Sequence, residues 1–392
     1  GSGTEPTAMF DPAHPTNTWR LRGEVDFDFP AGFRMPANRR VVLVGFDPER
    51  DLHDLAGFRA RYRLDEHVTV LGPWRASLAN DGGFSPDNWQ LFAELGWLGA
   101  GLGEDAGGYG GGAVENAIIL EAFGRALVVE PFLACAVLAL QTLAALPKCD
   151  VRDQLIADIV SGEKLAVLAH NEFEARGDVE LVGMTAFQDN GQWRLNGTKQ
   201  LVLGAPAADW LIVSARAGPD VGLFLVAPST AGVELVPYRT LDNMRAADIH
   251  FAEAPVHAVL ALPGAALPAI RLGYAHAMTA MCAEAVGAMD AAILLARDYL
   301  KTRQQFGTPL AGFQALQHRM ADMLVEAEMS RSIVFQGLAS LTDPEPERQK
   351  AIAAMKIVVS SAAMFVGRNA VQLHGGIGMT EEHPVGHYYK RL

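Results

Sequence analysis

Hydrophobic and polar positions change period along this 392-residue chain. Up to about Gly83 the pattern is short and rich in turns. Val25-Asp26-Phe27-Asp28-Phe29 alternates with period two and stops at Pro30, and Arg40-Val41-Val42-Leu43-Val44-Gly45-Phe46 is a second apolar run, so both are predicted strands. From Phe84 the period lengthens to that of a helix. Ser85 or Asp87 can cap a helix carrying Trp89, Phe92, Leu95 and Leu98. A glycine-rich loop from Gly101 to Gly112 follows, and helical patterns then run over 113–127, 131–146 and 150–161. From Lys164 the period falls to two. Strands are predicted at 165–169, 179–187, 192–196, 199–203, 209–215, 222–227 and 247–252, divided by turn signals at Asp189-Asn190-Gly191, Asn196-Gly197 and Gly218-Pro219. Past Pro268 the pattern is helical again, over 268–303, 312–341, 346–373 and 381–392. Those helices are long and amphipathic, and short connections such as Asp343-Pro344-Glu345-Pro346 suit an antiparallel bundle.

The expected architecture is therefore α+β in four parts. A β-rich segment spans 1–83, a helical domain 84–162, a central β domain 163–257, and a C-terminal four-helix bundle 266–392. Half of the residues are hydrophobic and a fifth are charged, a balance that a globular chain of this length can bury without a disulfide framework. The cysteines Cys135, Cys149 and Cys282 have no CxxC spacing, so metal binding and structural disulfides are not expected and a reducing cytoplasm is. A formal net charge of -13 argues against non-specific nucleic-acid binding. The start has no basic region followed by an apolar core, so no secretory signal is expected. Phe132 to Pro147, the most apolar stretch, falls short of the ~20 residues a bilayer span needs, so no membrane insertion is expected.

Two runs carry chemistry. Arg303-Gln304-Gln305-Phe306-Gly307 closes a long helix and leads into Pro309, Phe313-Gln314 and His318-Arg319-Met320-Ala321-Asp322-Met323. A guanidinium offers forked donors suited to a pyrophosphate, and a neighbouring aromatic can pack on a planar ring. Taken alone, the run also reads as a helix C-cap with a cation near the negative dipole end. About 70 residues later comes Val371-Gln372-Leu373-His374-Gly375-Gly376-Ile377-Gly378, continued by Thr380-Glu381-Glu382-His383-Pro384-Val385. Consecutive glycines let a backbone approach a phosphate or sugar closely, and Gln372 can both donate and accept. His374 reads as a passenger of that run, His318 as a solvent or helix contact, and His276 as a core histidine.

Together these runs resemble the R-x-x-F-G…F-Q…A-D-M and Q-x-x-G-G-x-G elements of the acyl-CoA dehydrogenase family. Phe92-Ala93-Glu94-Leu95-Gly96, Gly107-Gly108 and Glu121-Ala122-Phe123-Gly124-Arg125 extend the resemblance, which covers about 84–392 and is nearest to the small-subunit, pimeloyl-CoA dehydrogenase-like branch. Residues 17–83 faintly resemble bacterial lamin-tail-type domains. Ala169-His170-Asn171-Glu172 stands where the family has Thr-Glu-Pro against the flavin ring, with Asn171 in place of Thr and Phe173 in place of Pro. Asn196-Gly197-Thr198-Lys199 resembles the turn before the strand flanking the flavin, and Leu201-Val202-Leu203 replaces Trp-Ile-Thr.

The resemblance implies FAD as cofactor and an acyl-CoA as substrate. It implies an electron-transferring flavoprotein as electron acceptor and assembly as a homodimer, homotetramer or heterotetramer. It assigns Asn171, Leu201 and Leu203 to the flavin-ring side. Arg303, Gln305, Phe306 and Gln314 fall to the dinucleotide, with Gln372, Gly375 and Gly376 packing on the ADP half from a neighbouring subunit. The implied chemistry is α,β-dehydrogenation: a carboxylate removes the pro-R α-proton, and the β-hydrogen leaves as hydride to the flavin N5. Of the family's two positions for that carboxylate, one corresponds to Ala277. The other lies a few residues past the basic pair that Lys390-Arg391 resembles, and the given sequence stops at Leu392. Glu284, two helical turns beyond Ala277, is the candidate that remains, so a subunit without its own base is expected. A flavin oxidase or monooxygenase on the same scaffold, and a non-catalytic binding or assembly protein, stay open beside this reading.

Overall fold

The structure is a computed structural model that describes residues 83–262 and 264–392, together with short strand segments ahead of them. Among those segments Arg20–Leu21 pairs antiparallel with Phe27–Asp28, and Arg40–Leu43 pairs parallel with Val68–Leu71. The remainder of the predicted strands at 25–29 and 40–46, and the lamin-tail-like resemblance, lie outside the described residues.

The first helical region holds α1 (Pro86–Glu94), α2 (Ala113–Ala126), a π-helical segment (Leu133–Ala139) running into α3 (Leu140–Ala144), and α4 (Asp150–Val160). Ser85 caps α1 by accepting from the Asn88 amide, and Pro86 takes the first helical position, where a missing N–H costs nothing. Phe92, Trp97, Phe123 and Phe132 stack and cross at centroid distances of 5.2–6.4 Å, which ties these helices to one another.

The β domain consists of β1 (Ala166–Ala169), β2 (Thr185–Asp189), β3 (Gln192–Leu203), β4 (Trp210–Ala217), β5 (Asp220–Val226), β6 (Val233–Arg239), β7 (Arg245–Pro255) and β8 (Ala258–Ala261). Its strand order is β6-β7-β3-β2-β4-β5-β8, with β1 also paired to β4. Antiparallel pairs dominate; β1 and the first residue of β2 share one edge of β4 in parallel register. Several sequence expectations change here. The two strands predicted at 192–196 and 199–203 are one strand, because Asn196-Gly197 makes a bulge rather than a turn. There two residues of β7, Ala252 and Glu253, stand opposite Asn196 alone, and Asn196 Oδ1 accepts from the Glu253 amide at 2.7 Å. Gly197 has φ 138°, and a Cβ on it would lie 2.9 Å from Met184. Of the predicted strand 179–187 only Thr185 to Phe187 pair. β6 and β8 were not expected: Pro237 argues against a central strand, but β6 is an edge strand bound only to β7, where a missing N–H is tolerated.

The C-terminal helices are α5 (Ala266–Thr302), α6 (Gln314–Ser340), α7 (Glu345–His374) and α8 (Pro384–Arg391). They match the predicted bundle to within a few residues at each end. Helix α5 and the Glu345–Met379 stretch are long and apolar enough to cross a membrane by composition, but they pack here as helices of the bundle. Two hydrophobic cores meet on α5. Its first turns pack on the β domain and the π-helical segment, and its remainder packs on α6, α7 and α8. Helices α2 and α5 cross backbone to backbone: a Cβ on Gly124 would fall 1.9 Å from the Glu284 carbonyl oxygen, and one on Gly287 1.9 Å from that of Glu121. Beside that crossing, Arg125 and Arg331 alternate with Glu121 and Asp290 in a ring of four ion pairs of 2.5–2.7 Å.

Candidate functional site

At the β-domain end of α5, the run after β1 is clamped on both sides of Asn171. His170 is buried, with Nδ1 2.8 Å from Ser214 Oγ and Nε2 3.1 Å from the Val179 carbonyl. Glu172 accepts from the Gly183 amide at 2.7 Å and from Lys199 Nζ at 2.6 Å. Lys199 is fully buried and also donates to Ser214 Oγ and the His170 carbonyl. Burial pulls the Lys199 ammonium down to about 8 against the opposing pull of Glu172. Burial first, and then the Lys199 charge, pull His170 down to about 4. Asn171 itself emerges between these fixed neighbours. Its carbonyl accepts from the Gln200 amide at 2.8 Å, which joins it to β3, and its Oδ1 accepts from the Tyr274 hydroxyl at 2.8 Å.

A second bulge shapes β3 beside Asn171. Gln200 and Leu201 stand opposite the single residue Asp248, and Leu201 takes φ 50°. Asp248 holds this bulge by accepting from the Leu201 amide at 3.0 Å and from the Tyr238 hydroxyl at 2.9 Å. The bulge turns Leu201 outward, with 47 % of its surface exposed, whereas Leu203 is half-buried against a small cavity shared with Pro131, Ala134 and Met244. The structure thus sets Asn171 beside Leu201, with Leu203 two residues further along the same strand and turned to its own cavity.

Tyr274 and Ala277 share one face of α5, being three residues apart. Ala277 is buried, so no carboxylate stands at that position. Glu284, two turns on, is buried and engaged: Arg391 donates to its Oε1 at 2.5 Å. Arg391 also donates to the Val128 carbonyl at 3.0 Å and pairs through Nε with Asp242 at 3.1 Å. Burial raises the Glu284 carboxyl above its ordinary range while Arg391 pulls it back. Sequence reasoning named Arg391 only as part of a basic pair, and Tyr274 not at all. Helix-face arithmetic back from Ala277 leads to Tyr274; nothing local leads to Arg391, which lies 107 residues from Glu284.

The other end of α5 gathers the remaining site residues. Gln305 pairs with Thr308 in a tight hairpin, the Leu310 amide donates to the Arg303 carbonyl, and the Phe306 and Phe313 rings meet edge-on at 6.1 Å. Phe306 takes φ 55° and is 90 % exposed; Arg303, Gln305 and Gln314 are exposed as well. The glycine turn reaches the same place, because Tyr299 of α5 packs against the His374 ring at a centroid distance of 4.7 Å and His374 against His383 at 4.4 Å, both tilted. Gln372, Gly375 and Gly376 are exposed there, and a Cβ on either glycine would touch nothing. Among the histidines set aside in the sequence, His374 is buried in that ring cluster and His318 is exposed. His276 is held down to about 4 by burial and by Arg348. Among the described residues no cluster of metal-ligating side chains is found.

A β domain between two helical regions, with these two motifs at one end of the bundle, is the arrangement that the resemblance to flavoprotein oxidoreductases implies. Comparison with known proteins gives the family. Residues 64–163 match the acyl-CoA dehydrogenase N-terminal domain, 168–254 the middle domain and 269–392 the C-terminal domain. The chain belongs to the acyl-CoA dehydrogenase family. The N-terminal match begins inside the segment assigned on sequence grounds to the β-rich part. Acryloyl-CoA reductase (NADH) of Anaerotignum propionicum is 28 % identical over 320 residues, covering 78 % of this chain and 81 % of that protein. Acyl-CoA dehydrogenase IpdE2 of Mycolicibacterium smegmatis is 29 % identical over 323 residues, covering 81 % and 85 %. Butyryl-CoA dehydrogenase from Megasphaera elsdenii shares the fold with a TM-score of 0.74 at 24 % identity, covering 88 % of this chain and 92 % of its own. These matches favour acyl-CoA dehydrogenation over the oxidase and binding-protein readings.

Proposed function

We propose that this chain is an FAD-dependent acyl-CoA dehydrogenase whose flavin site is completed between two chains. The observation that carries the reading is the distance between the two halves of the site. Tyr274 lies on α5 beside Asn171, and Arg303 caps the far end of that helix 29 residues on, roughly 43 Å at ~1.5 Å per residue. One dinucleotide does not bridge that span within one chain, so the exposed Arg303 end fits the flavin of a neighbour.

The residues at both ends suit FAD. At the inner end, outward-turned Leu201 offers an apolar seat for a planar ring and Asn171 a carboxamide for its polar edge. At the outer end, Arg303 supplies forked donors for a pyrophosphate, Gln305, Gln314 and Gln372 supply carboxamides, and Phe306 supplies an uncovered ring. Gly375 and Gly376 leave backbone open to close approach. A bound flavin supplies the acceptor for the β-hydrogen of an acyl-CoA thioester. The chain's own task is then to orient the thioester and exclude water. The α5 face that carries Ala277 offers no proton acceptor, and Glu284 is committed to Arg391, so the α-proton is taken by a carboxylate from outside α5. Electrons pass on to an electron-transferring flavoprotein, and the enzyme works as a homodimer, homotetramer or heterotetramer in the cytoplasm.

The test is direct. Purified protein is expected to carry FAD, anaerobic acyl-CoA is expected to bleach it, and admitting air to the bleached protein is expected to give no rapid reoxidation with peroxide release. A protein that stays colourless after incubation with FAD contradicts the reading.

A further inference from the structure

The Tyr274–Asn171 hydrogen bond has a polarity that matters for any ring seated against Asn171. A carboxamide has an accepting and a donating end of almost equal shape, so something must decide which end faces outward. Here the Tyr274 hydroxyl, 2.8 Å from Asn171 Oδ1, decides it. Among the described residues Asn171 Oδ1 is the one acceptor within reach of that hydroxyl. If the amide were reversed, the phenol would accept and its own proton would have no protein partner, a cost toward the lower end of ~1–3 kcal/mol because the hydroxyl is only part-buried. Burial raises the phenol above its ordinary range, so it keeps the proton it donates. Asn171 cannot escape by moving as a whole, because its carbonyl is tied to Gln200 while His170 and Glu172 are clamped by Ser214, Val179 and Lys199. Among the described residues, the Asn171 amide nitrogen donates to nothing.

We propose that Tyr274 is a positioning residue: its hydroxyl fixes the Asn171 carboxamide so that the NH2 group, and not the oxygen, faces the flavin ring. This rests on the flavin reading above and adds to it. A hydroxyl at position 171 could both donate and accept, and so could follow a ring that changes between donor and acceptor. A carboxamide locked through its oxygen can only donate. The pair therefore gives the ring edge a fixed donor, which biases the balance between oxidised and reduced flavin and leaves overall affinity little changed.

The experiment compares the parent holoprotein with Tyr274→Phe, Asn171→Ala and the double variant. The readouts are flavin content, visible spectrum and two-electron midpoint potential. Tyr274→Phe is expected to bind flavin stoichiometrically, with a displaced visible band. The ratio of its affinities for oxidised and reduced flavin should change about tenfold, or about 30 mV for a two-electron couple. Asn171→Ala should move the potential at least as far, and adding Tyr274→Phe to it should move it no further. A flavin-loaded Tyr274→Phe with parental spectrum and potential overturns the proposal, as do shifts that simply add in the double variant. If Tyr274→Phe does not fold, a parental potential in Asn171→Ala overturns it equally. A parent that binds no flavin overturns the functional reading and this inference together, so the two failures are distinguishable.

Discussion

Helix α5 has two ends that behave oppositely. Around Tyr274 the buried polar groups are engaged: a buried lysine, a buried histidine, a serine, a glutamate and a tyrosine hydroxyl all have partners, and Asn171 turns its amide nitrogen outward beside Leu201. Around Arg303 little is engaged beyond a tight hairpin and a ring cluster, and a guanidinium, several carboxamides and a phenylalanine ring stand in the open. Buried polar groups are costly unless paired, so the first end has to be complete within one chain. Exposed groups carry no such cost, so the second end can wait for a ligand and a partner. Damage at the first end should therefore appear as lost stability, and damage at the second as lost binding.

The largest effect is expected from Lys199→Met. It leaves Glu172 buried without its cation, and breaking such a pair commonly costs ~3–5 kcal/mol. Urea denaturation of the purified variant checks this, and an unchanged midpoint would mean that the clamp does not hold the 170–172 run. Next in size is Arg303→Ala. A charge-assisted contact of ~1.5–3 kcal/mol predicts flavin affinity lower by roughly 10- to 100-fold, with stability of the flavin-free protein within ~0.5 kcal/mol of the parent. Equal flavin affinity would reduce Arg303 to a helix cap.

Acid should weaken the inner end, and the buried His374 and half-buried His383 at the outer end act in the same direction. His170 titrates near 4 in the folded chain against an ordinary value of 6.5. Between those values the unfolded chain takes up a proton that the folded chain refuses. Stability thus falls as pH drops from about 6.5 to about 4 and levels off below. His276 acts in the same direction and keeps part of the slope. The slope of unfolding free energy against pH should be shallower in His170→Gln, and an identical slope would contradict the assignment. The smallest effect on turnover is expected from Glu284→Gln. A general base is worth ~10²–10⁴-fold, and a carboxylate held by Arg391 should cost far less when neutralised. Dye-coupled turnover with an acyl-CoA decides it: a loss in the full general-base range would restore Glu284 as the base.

Much of this contrast was legible in the sequence. The change of period at Lys164 and again near Pro268 marked the β domain and the bundle, because long amphipathic helices announce themselves by repetition. The Arg303 and Gly375 runs were legible because exposed polar residues and positive-φ backbone leave local signatures. The length of α5 alone separates Tyr274 from Arg303. Less visible were features that depend on partners remote in sequence. The Asn196-Gly197 pair reads as a turn, and becomes a bulge only because β7 offers two residues against one. Pro237 hid an edge strand. Asn171 was noticed as a departure from threonine, but the hydroxyl that orients it lies 103 residues away. Glu284 kept its place as a candidate base because its partner Arg391 sits on another helix.

On this reading one flavin needs the inner end of one chain and the outer end of another. Dilution of the flavin-loaded protein, with mass and bound-flavin absorbance followed together, tests it most directly. Flavin is expected to be released in step with dissociation of the oligomer, at higher protein concentration for Arg303→Ala than for the parent. A monomer that retains stoichiometric flavin would contradict it.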